Sequence, residues 1–244
     1  MKKEFNKTVI STLFISLMGI SSVAQSAVTL DRTRVIFPGT EKSINITIRN
    51  DNPTLPYLAQ TWIDDANEKK LTTGPLIATP PIQRLDPKSS SIVQISTTPS
   101  ITSLPKDRET VFYYNLREVP PKSEEANVLQ IALQSRVKLF YRPAEILSQA
   151  DSMWFHSVTL TPSAKGYTVN NVTPFYLTVI GLASTQKASE TGAFSVVMIP
   201  PKSDHEFAVP KTNIPYMTII NDYGGKPTLQ FKCEQAKCTV AKEM

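Results

Sequence analysis

Histidines, cysteines and clustered carboxylates are where a chain of 244 residues would keep catalytic or metal-binding chemistry, and here they are few. The only histidines are His156 and His205. Asp204-His205-Glu206 is the one run from which an acid–base or metal cluster could be built, but such a polar run fits a surface turn better. A metal site needs further ligands at set spacing. Neither a Gly-x-Ser-x-Gly elbow nor a phosphate-binding glycine loop occurs. The sequence therefore argues against an enzyme and implies no cofactor and no metal.

The two cysteines, Cys233 and Cys238, depend for their chemistry on the compartment. Lys2, Lys3 and Lys7 precede an apolar stretch from Val9 to Ala24, which ends in small residues. This is the pattern of a secretory signal peptide over residues 1–26. It is too short to span a bilayer comfortably, which disfavours the alternative of a membrane anchor. The best cut falls after Ser26, with Ala24 and Ser26 as the small residues before it. No later apolar run approaches the ~18 residues of a membrane helix, so the mature chain is expected to be soluble, not integral to a membrane. Export places the cysteines in an oxidising compartment, where a pair with four residues between them suits a disulfide at a hairpin end. A loop that short contributes roughly 2 kcal/mol. Export also trims the charge. The full chain carries 26 basic and 21 acidic residues, whereas residues 27–244 carry 23 and 20. A scattered net +3 gives no reason to invoke nucleic acid.

The elements that position these residues read as strands. Nineteen prolines against eight glycines disfavour an all-helical chain. Ile44, Ile46 and Ile48 alternate with polar residues, and short β-branched or aromatic runs recur at 57–63, 91–95, 111–119, 155–160, 167–169, 175–182, 194–199, 216–220 and 228–231. Turn-forming breaks such as Pro38-Gly39 and Asn50-Asp51-Asn52-Pro53 separate them, and no segment has a capped 3.6-residue apolar stripe. Many short strands predict β-sandwiches of ~100 residues each, hence two. The alternation stops between Pro143 and Asp151, which sets domains at 27–147 and 148–244.

Asn127–Arg142 stands apart. Leu129, Ile131, Leu133, Val137, Leu139 and Tyr141 alternate with Gln130, Gln134, Arg136 and Lys138. Sixteen extended residues would reach ~50 Å, against ~17–20 Å for a typical strand. Either one face is core throughout, or the strand overhangs its sheet and needs a partner to cover an aggregation-prone edge.

The run from Leu104 to Pro120, Leu-Pro-Lys-Asp-Arg-Glu-Thr-Val-Phe-Tyr-Tyr-Asn-Leu-Arg-Glu-Val-Pro, resembles the signature of periplasmic pilus-assembly chaperones. Leu30-Asp31-Arg32-Thr33-Arg34, Ala78-Thr79-Pro80-Pro81, Asn127–Gln134, Lys138–Pro143 and Asn221-Asp222-Tyr223-Gly224-Gly225 extend the resemblance along the chain. It implies an all-β protein of two immunoglobulin-like domains set at an angle, with a cleft between them. It implies a periplasmic chaperone that folds and caps pilus subunits, the tip adhesin included, by donating a β-strand, and delivers them to an outer-membrane usher. By the same resemblance, Arg34 and Lys138 anchor the subunit's C-terminal carboxylate, and Leu129, Ile131 and Leu133 fill the subunit's groove. Glu109, Arg142 and Asp222 form an interdomain ion network. Strict alternation puts Lys138 on the opposite strand face from the three apolar residues, which would require twist or a bulge if one partner touches both. Thr79-Pro80-Pro81 is a place where a cis bond could occur. The short Pro120–Val128 connection resembles the branch of the family that serves rod-like pili. A self-capping dimer is open to the unliganded chain. The rival reading, a pilus subunit or adhesin, would expect an alternating donor extension at the mature N-terminus, and none is seen.

Overall fold

The computed structural model describes residues 26–123, 127–150 and 153–244. Apart from Ser26, the expected export segment lies outside the described residues. The first half contains β1 (Val28–Leu30), β2 (Arg34–Pro38), β3 (Ser43–Asn50), β4 (Tyr57–Asp64), β5 (Leu76–Thr79), β6 (Ile82–Leu85), β7 (Ser90–Thr97), β8 (Thr110–Val119) and β9 (Gln134–Arg142). They form two sheets, ordered β1-β3-β7-β5 and β2-β9-β8-β4-β6. Period-two burial builds the core between them: on β3, Ile46 and Ile48 are buried while Thr47 and Arg49 are exposed. Phe37, Val93, Ile95, Tyr114, Leu116 and Leu139 are among the other residues of that interior. The Thr79–Pro80 bond is cis.

The second half contains β10 (Thr159–Pro162), β11 (Tyr167–Asn171), β12 (Leu177–Ala183), helix α1 (Gln186–Thr191), β13 (Val197–Ile199), β14 (Ser203–Phe207), β15 (Tyr216–Ile220), β16 (Thr228–Glu234) and β17 (Lys237–Glu243). These strands make one continuous sheet, β13-β12-β15-β16-β17-β10-β11-β14. Every one of them contributes to a single core, so the sheet curls around it. The molecule is therefore two β-sandwich-like units with separate interiors.

Three local expectations change. The run 155–160 is a strand only from Thr159, because Trp154–Ser157 forms a 3-10 turn that plugs the second core with Trp154 and Phe155. Aromatic content signals burial, and burial does not by itself choose the backbone. Six-residue α1 is too short to show a period, but Thr185 Oγ1 caps it by accepting the Ala188 N–H. The helix lies so close to β12 that a Cβ on Gly181 would sit 1.7 Å from the Ser189 carbonyl. Finally, Asp204-His205-Glu206 is not a turn but lies within β14, paired with β11.

Candidate functional site: an open strand edge beside two cations

The two sides of β9 are covered unequally. On one side β8 pairs with it from Tyr141 to Gln134. On the other, parallel β2 pairs only from Arg34↔Lys138 to Pro38↔Arg142. N-terminal of Lys138, that second edge has no strand against it among the described residues. Upstream of Gln134 the ladder stops on the β8 side as well among the described residues, apart from the Glu118 N–H donating to the Leu133 carbonyl (3.0 Å). The long strand expected over Asn127–Arg142 is thus paired only as Gln134–Arg142, since extended residues without a neighbour have no ladder to join. Leu129, Ile131 and Leu133 lie in the unpaired stretch, 85%, 64% and 41% exposed.

Arg34 opens β2 where the free edge begins. Its side chain is 8% exposed, lies over the Phe140 ring and donates from Nη1 to the Ile220 carbonyl (3.2 Å). Its Nε is buried with no hydrogen-bond partner. Lys138, its register neighbour, is half-buried and has a long contact to Thr178 Oγ1 (3.4 Å). No carboxylate forms a salt bridge with either cation among the described residues. Burial pulls the Arg34 pKa down, with Asp222 and Glu109 opposing. Burial and then the nearby Arg34 charge lower that of Lys138. Two cations held together at a cost, one with an unmet donor, make a site that an anion would relieve.

Register fixes the faces of the paired part of β9. The β8–β9 pairing runs without a shift from Thr110↔Tyr141 to Arg117↔Gln134. No bulge brings Lys138 to the face of Val137 and Leu139.

Arg142, also on β9, joins the two halves. Its Nε and Nη2 donate to Glu109 Oε1 (2.9 and 2.7 Å), and its Nη1 donates to Asp222 Oδ2 (2.8 Å). The guanidinium lies 4.6 Å from the Phe175 ring centroid. Glu109 Oε2 accepts the Tyr176 N–H (2.8 Å), and the Glu109 N–H donates to the Pro174 carbonyl (2.9 Å). Burial pushes the Glu109 pKa up to about 7 against the pull of Arg142. Burial opposes the Arg142 charge, but its bonds to Asp222 and Glu109 more than offset this. Asp222 is presented by a tight loop: Asn221 Oδ1 accepts from the N–H groups of Tyr223 and Gly225, and Gly224 has φ +81°. A Cβ on Gly224 would meet Thr33 Oγ1 at 2.5 Å, one residue from Arg34.

Several contributors were not singled out by the sequence. Lys202 Nζ donates to Asp107 Oδ2 (2.6 Å), a second tie between the halves. Phe140 packs on Tyr176, with ring centroids 5.5 Å apart. Arg136 donates to Glu68 (2.8 Å) and Asp64 (3.1 Å) and covers Tyr113, holding the 65–69 turn against β9. The run around Lys106–Glu109 and the alternating cations of β9 were visible, but their partners are distant in sequence. Elsewhere, Cys233 and Cys238 face each other across β16–β17 and form a disulfide. His205 packs against Phe207, Glu206 pairs with Lys165, and His156 contacts Glu243. Among the described residues, no group of three His, Cys, Asp or Glu side chains is placed to hold a metal ion, and no helix is long and apolar enough to cross a membrane.

Two β-sandwich-like units joined through a buried ion network, with an open apolar strand edge ending at a cation pair, define an all-β, two-domain class of protein. Comparison with known proteins narrows the class. The family model for the pili and flagellar-assembly chaperone, PapD N-terminal domain, matches residues 27–147, and that for the pili assembly chaperone PapD, C-terminal domain, matches residues 153–231. The chaperone protein PapD of Escherichia coli is 52% identical over 224 residues, covering 92% of this chain and 94% of the relative. The crystal structure of the periplasmic chaperone SfaE is 30% identical with a TM-score of 0.64, covering 84% of this chain and 98% of that one. The SafB chaperone, solved in complex with the SafA pilin of Salmonella enterica, shares the fold at 23% identity, with a TM-score of 0.70 over 87% of this chain and 99% of that one. The chain belongs to the PapD family of pilus-assembly chaperones, a family of chaperones and not of enzymes.

Proposed function

We propose that this protein is a periplasmic chaperone that holds pilus subunits by lending them a β-strand, and that residues 129–137 are that strand. The observation that carries the reading is the uncovered edge of β9: three exposed apolar side chains at alternate positions lead directly to Arg34 and Lys138. A subunit strand would take the place in line with β2. Its C-terminal carboxylate would accept hydrogen bonds from the Arg34 guanidinium, whose Nε is unmet, and from the Lys138 ammonium. With the carboxylate at that end, the subunit strand runs in the same direction as β9, as β2 does. Leu129, Ile131 and Leu133 would enter the subunit's open groove, contributing ~1.5–3 kcal/mol each if fully buried. The carboxylate fixes register, since a slip of one residue would turn these side chains away. Strand addition of this kind is the established mode of chaperone–pilin complexes in general.

The remaining assignments follow the family. Residues 1–26 serve as a cleaved export signal, the two domains span 27–147 and 148–244, the subunits include the tip adhesin, and an outer-membrane usher receives the complex. Glu109, Arg142 and Asp222 set the relation between the domains and so keep Arg34 and Lys138 beside Ile220 and Thr178 of the second. The test is co-expression with a pilin. The native chain should yield one-to-one complexes, whereas Arg34→Ala and Lys138→Ala should yield a folded chaperone with no pilin. Normal recovery of complex from both variants would overturn the reading.

A further inference from the structure

Glu118 is a buried carboxylate with no cation beside it. It lies on β8, is 5% exposed, and no Lys, Arg or His forms a salt bridge with it among the described residues. Its Oε2 accepts from the Val28 N–H (2.9 Å) and from Ser26 Oγ (3.0 Å). The two donors flank Ala27 on either side. Ala27 is held independently of its predecessor, since its carbonyl accepts the Asp51 N–H (2.7 Å) and Val28 begins the β1–β3 ladder opposite Asn50. A buried carboxylate served only by neutral donors is costly, and a cation at its free capacity would offset that cost. The surroundings offer none. Asp51 Oδ1 pairs with Arg49, Asp51 Oδ2 accepts from Thr29, and Lys88 Nζ donates to the Asp51 carbonyl, while Tyr57 is the remaining titratable group lining the cavity.

We propose that Glu118 is a built-in receptor for the α-ammonium that leader removal creates at Ala27. This rests on the reading that the leader ends at Ser26. Hydrolysis of the Ser26–Ala27 bond consumes one water. Ser26 leaves with the new carboxylate, and the Ala27 nitrogen becomes a protonated amine. The neutral Ser26 hydroxyl contact is thereby exchanged for an ion pair at the same carboxylate. The consequence reaches the binding edge. Ala27, Asp51, Glu118, Ile131 and Leu133 line one cavity of about 430 Å³, and the Glu118 backbone N–H is the last ladder contact of the lending strand, at Leu133. Maturation thus adds an ion pair to the Val28 hydrogen bond that already ties β1 to the root of that strand, and a chain still bearing its leader lacks the ion pair.

The test combines mass and titration on the mature protein from the periplasm. Its mass should show Ala27 as the first residue. The α-amine, followed by nitrogen-15 NMR against pH, should titrate at least about one unit above its ordinary ~7.7–8.0, and Glu118→Gln should return it to that range. The pair should add thermal stability that is complete below the ordinary value and is lost as pH rises through the raised one. Because Glu118→Gln could impair folding, a second chain keeps Glu118 and retains Ala24-Gln25-Ser26 ahead of Ala27. It should melt roughly 2–4 °C lower at pH 7. A mature mass beginning elsewhere overturns the cut site and the receptor together. A chain that begins at Ala27 but shows an ordinary amine pKa and an unchanged melting point for the extended form overturns the receptor alone.

Discussion

Residues 127–133 and 134–142 share one alternating pattern and meet opposite fates. In the second stretch Leu139 is fully buried, Phe140 is 2% exposed, β8 pairs with the backbone from Gln134 onward, and β2 covers the other side from Lys138. In the first stretch Leu129 is 85% exposed and, among the described residues, the backbone has a single ladder contact, at Leu133. Apolar alternation therefore specifies a need for burial without saying who supplies it. The chain supplies it for one part and leaves the other exposed, which on the proposed reading is where a partner strand adds, with Arg34 and Lys138 at the changeover.

The sharpest way to break this comparison is inside the paired half. Leu139→Ala should cost about 2–5 kcal/mol in urea unfolding, whereas Leu129→Ala should stay within ~0.5 kcal/mol of the native chain. Equal losses would mean that the first stretch is core after all. Arg142→Ala should follow, at roughly 3–5 kcal/mol, because it strands Glu109 in a dry site. Glu109 itself adds a pH term. Its folded pKa of about 7 lies above the ordinary carboxylate value, so the folded state holds an extra proton in between. Stability should be greatest near pH 5 and decline by up to about 3 kcal/mol as pH rises through 7, and Glu109→Gln should flatten that slope. Ile131→Glu turns the comparison around. It should leave the melting point alone yet weaken pilin binding by at least roughly tenfold, as a charge enters a groove meant for an apolar side chain. Cys233→Ser should cost roughly 2 kcal/mol, and only in the second domain.

The parts of this design that are local in sequence could be read there. Ile44, Ile46 and Ile48 announced β3, and Leu129, Ile131 and Leu133 announced an apolar edge. The disulfide followed from spacing and compartment. Whatever depends on two distant segments meeting could not be read from the residues themselves. Arg142 and Lys138 look alike as cations on one strand, and only parallel β2 brings Arg34 to Lys138 while Glu109 and Asp222 enclose Arg142. Family resemblance distinguished them where residue chemistry alone could not. The run from Phe155 reads as strand in the sequence because aromatic composition reports burial and is indifferent to backbone type. The role of Glu118 is not legible in the sequence because its partners, Ser26 and Val28, lie some ninety residues away.

Amide hydrogen exchange over residues 127–137, with and without bound pilin, tests the central claim most directly. In the free protein, amides 127–133 should exchange at near-unprotected rates while those of 138–142 are slow. In the complex, protection should extend back to Leu129, and Lys138→Ala should abolish that gain. Equal protection of 127–133 in the free and pilin-bound protein would contradict the account.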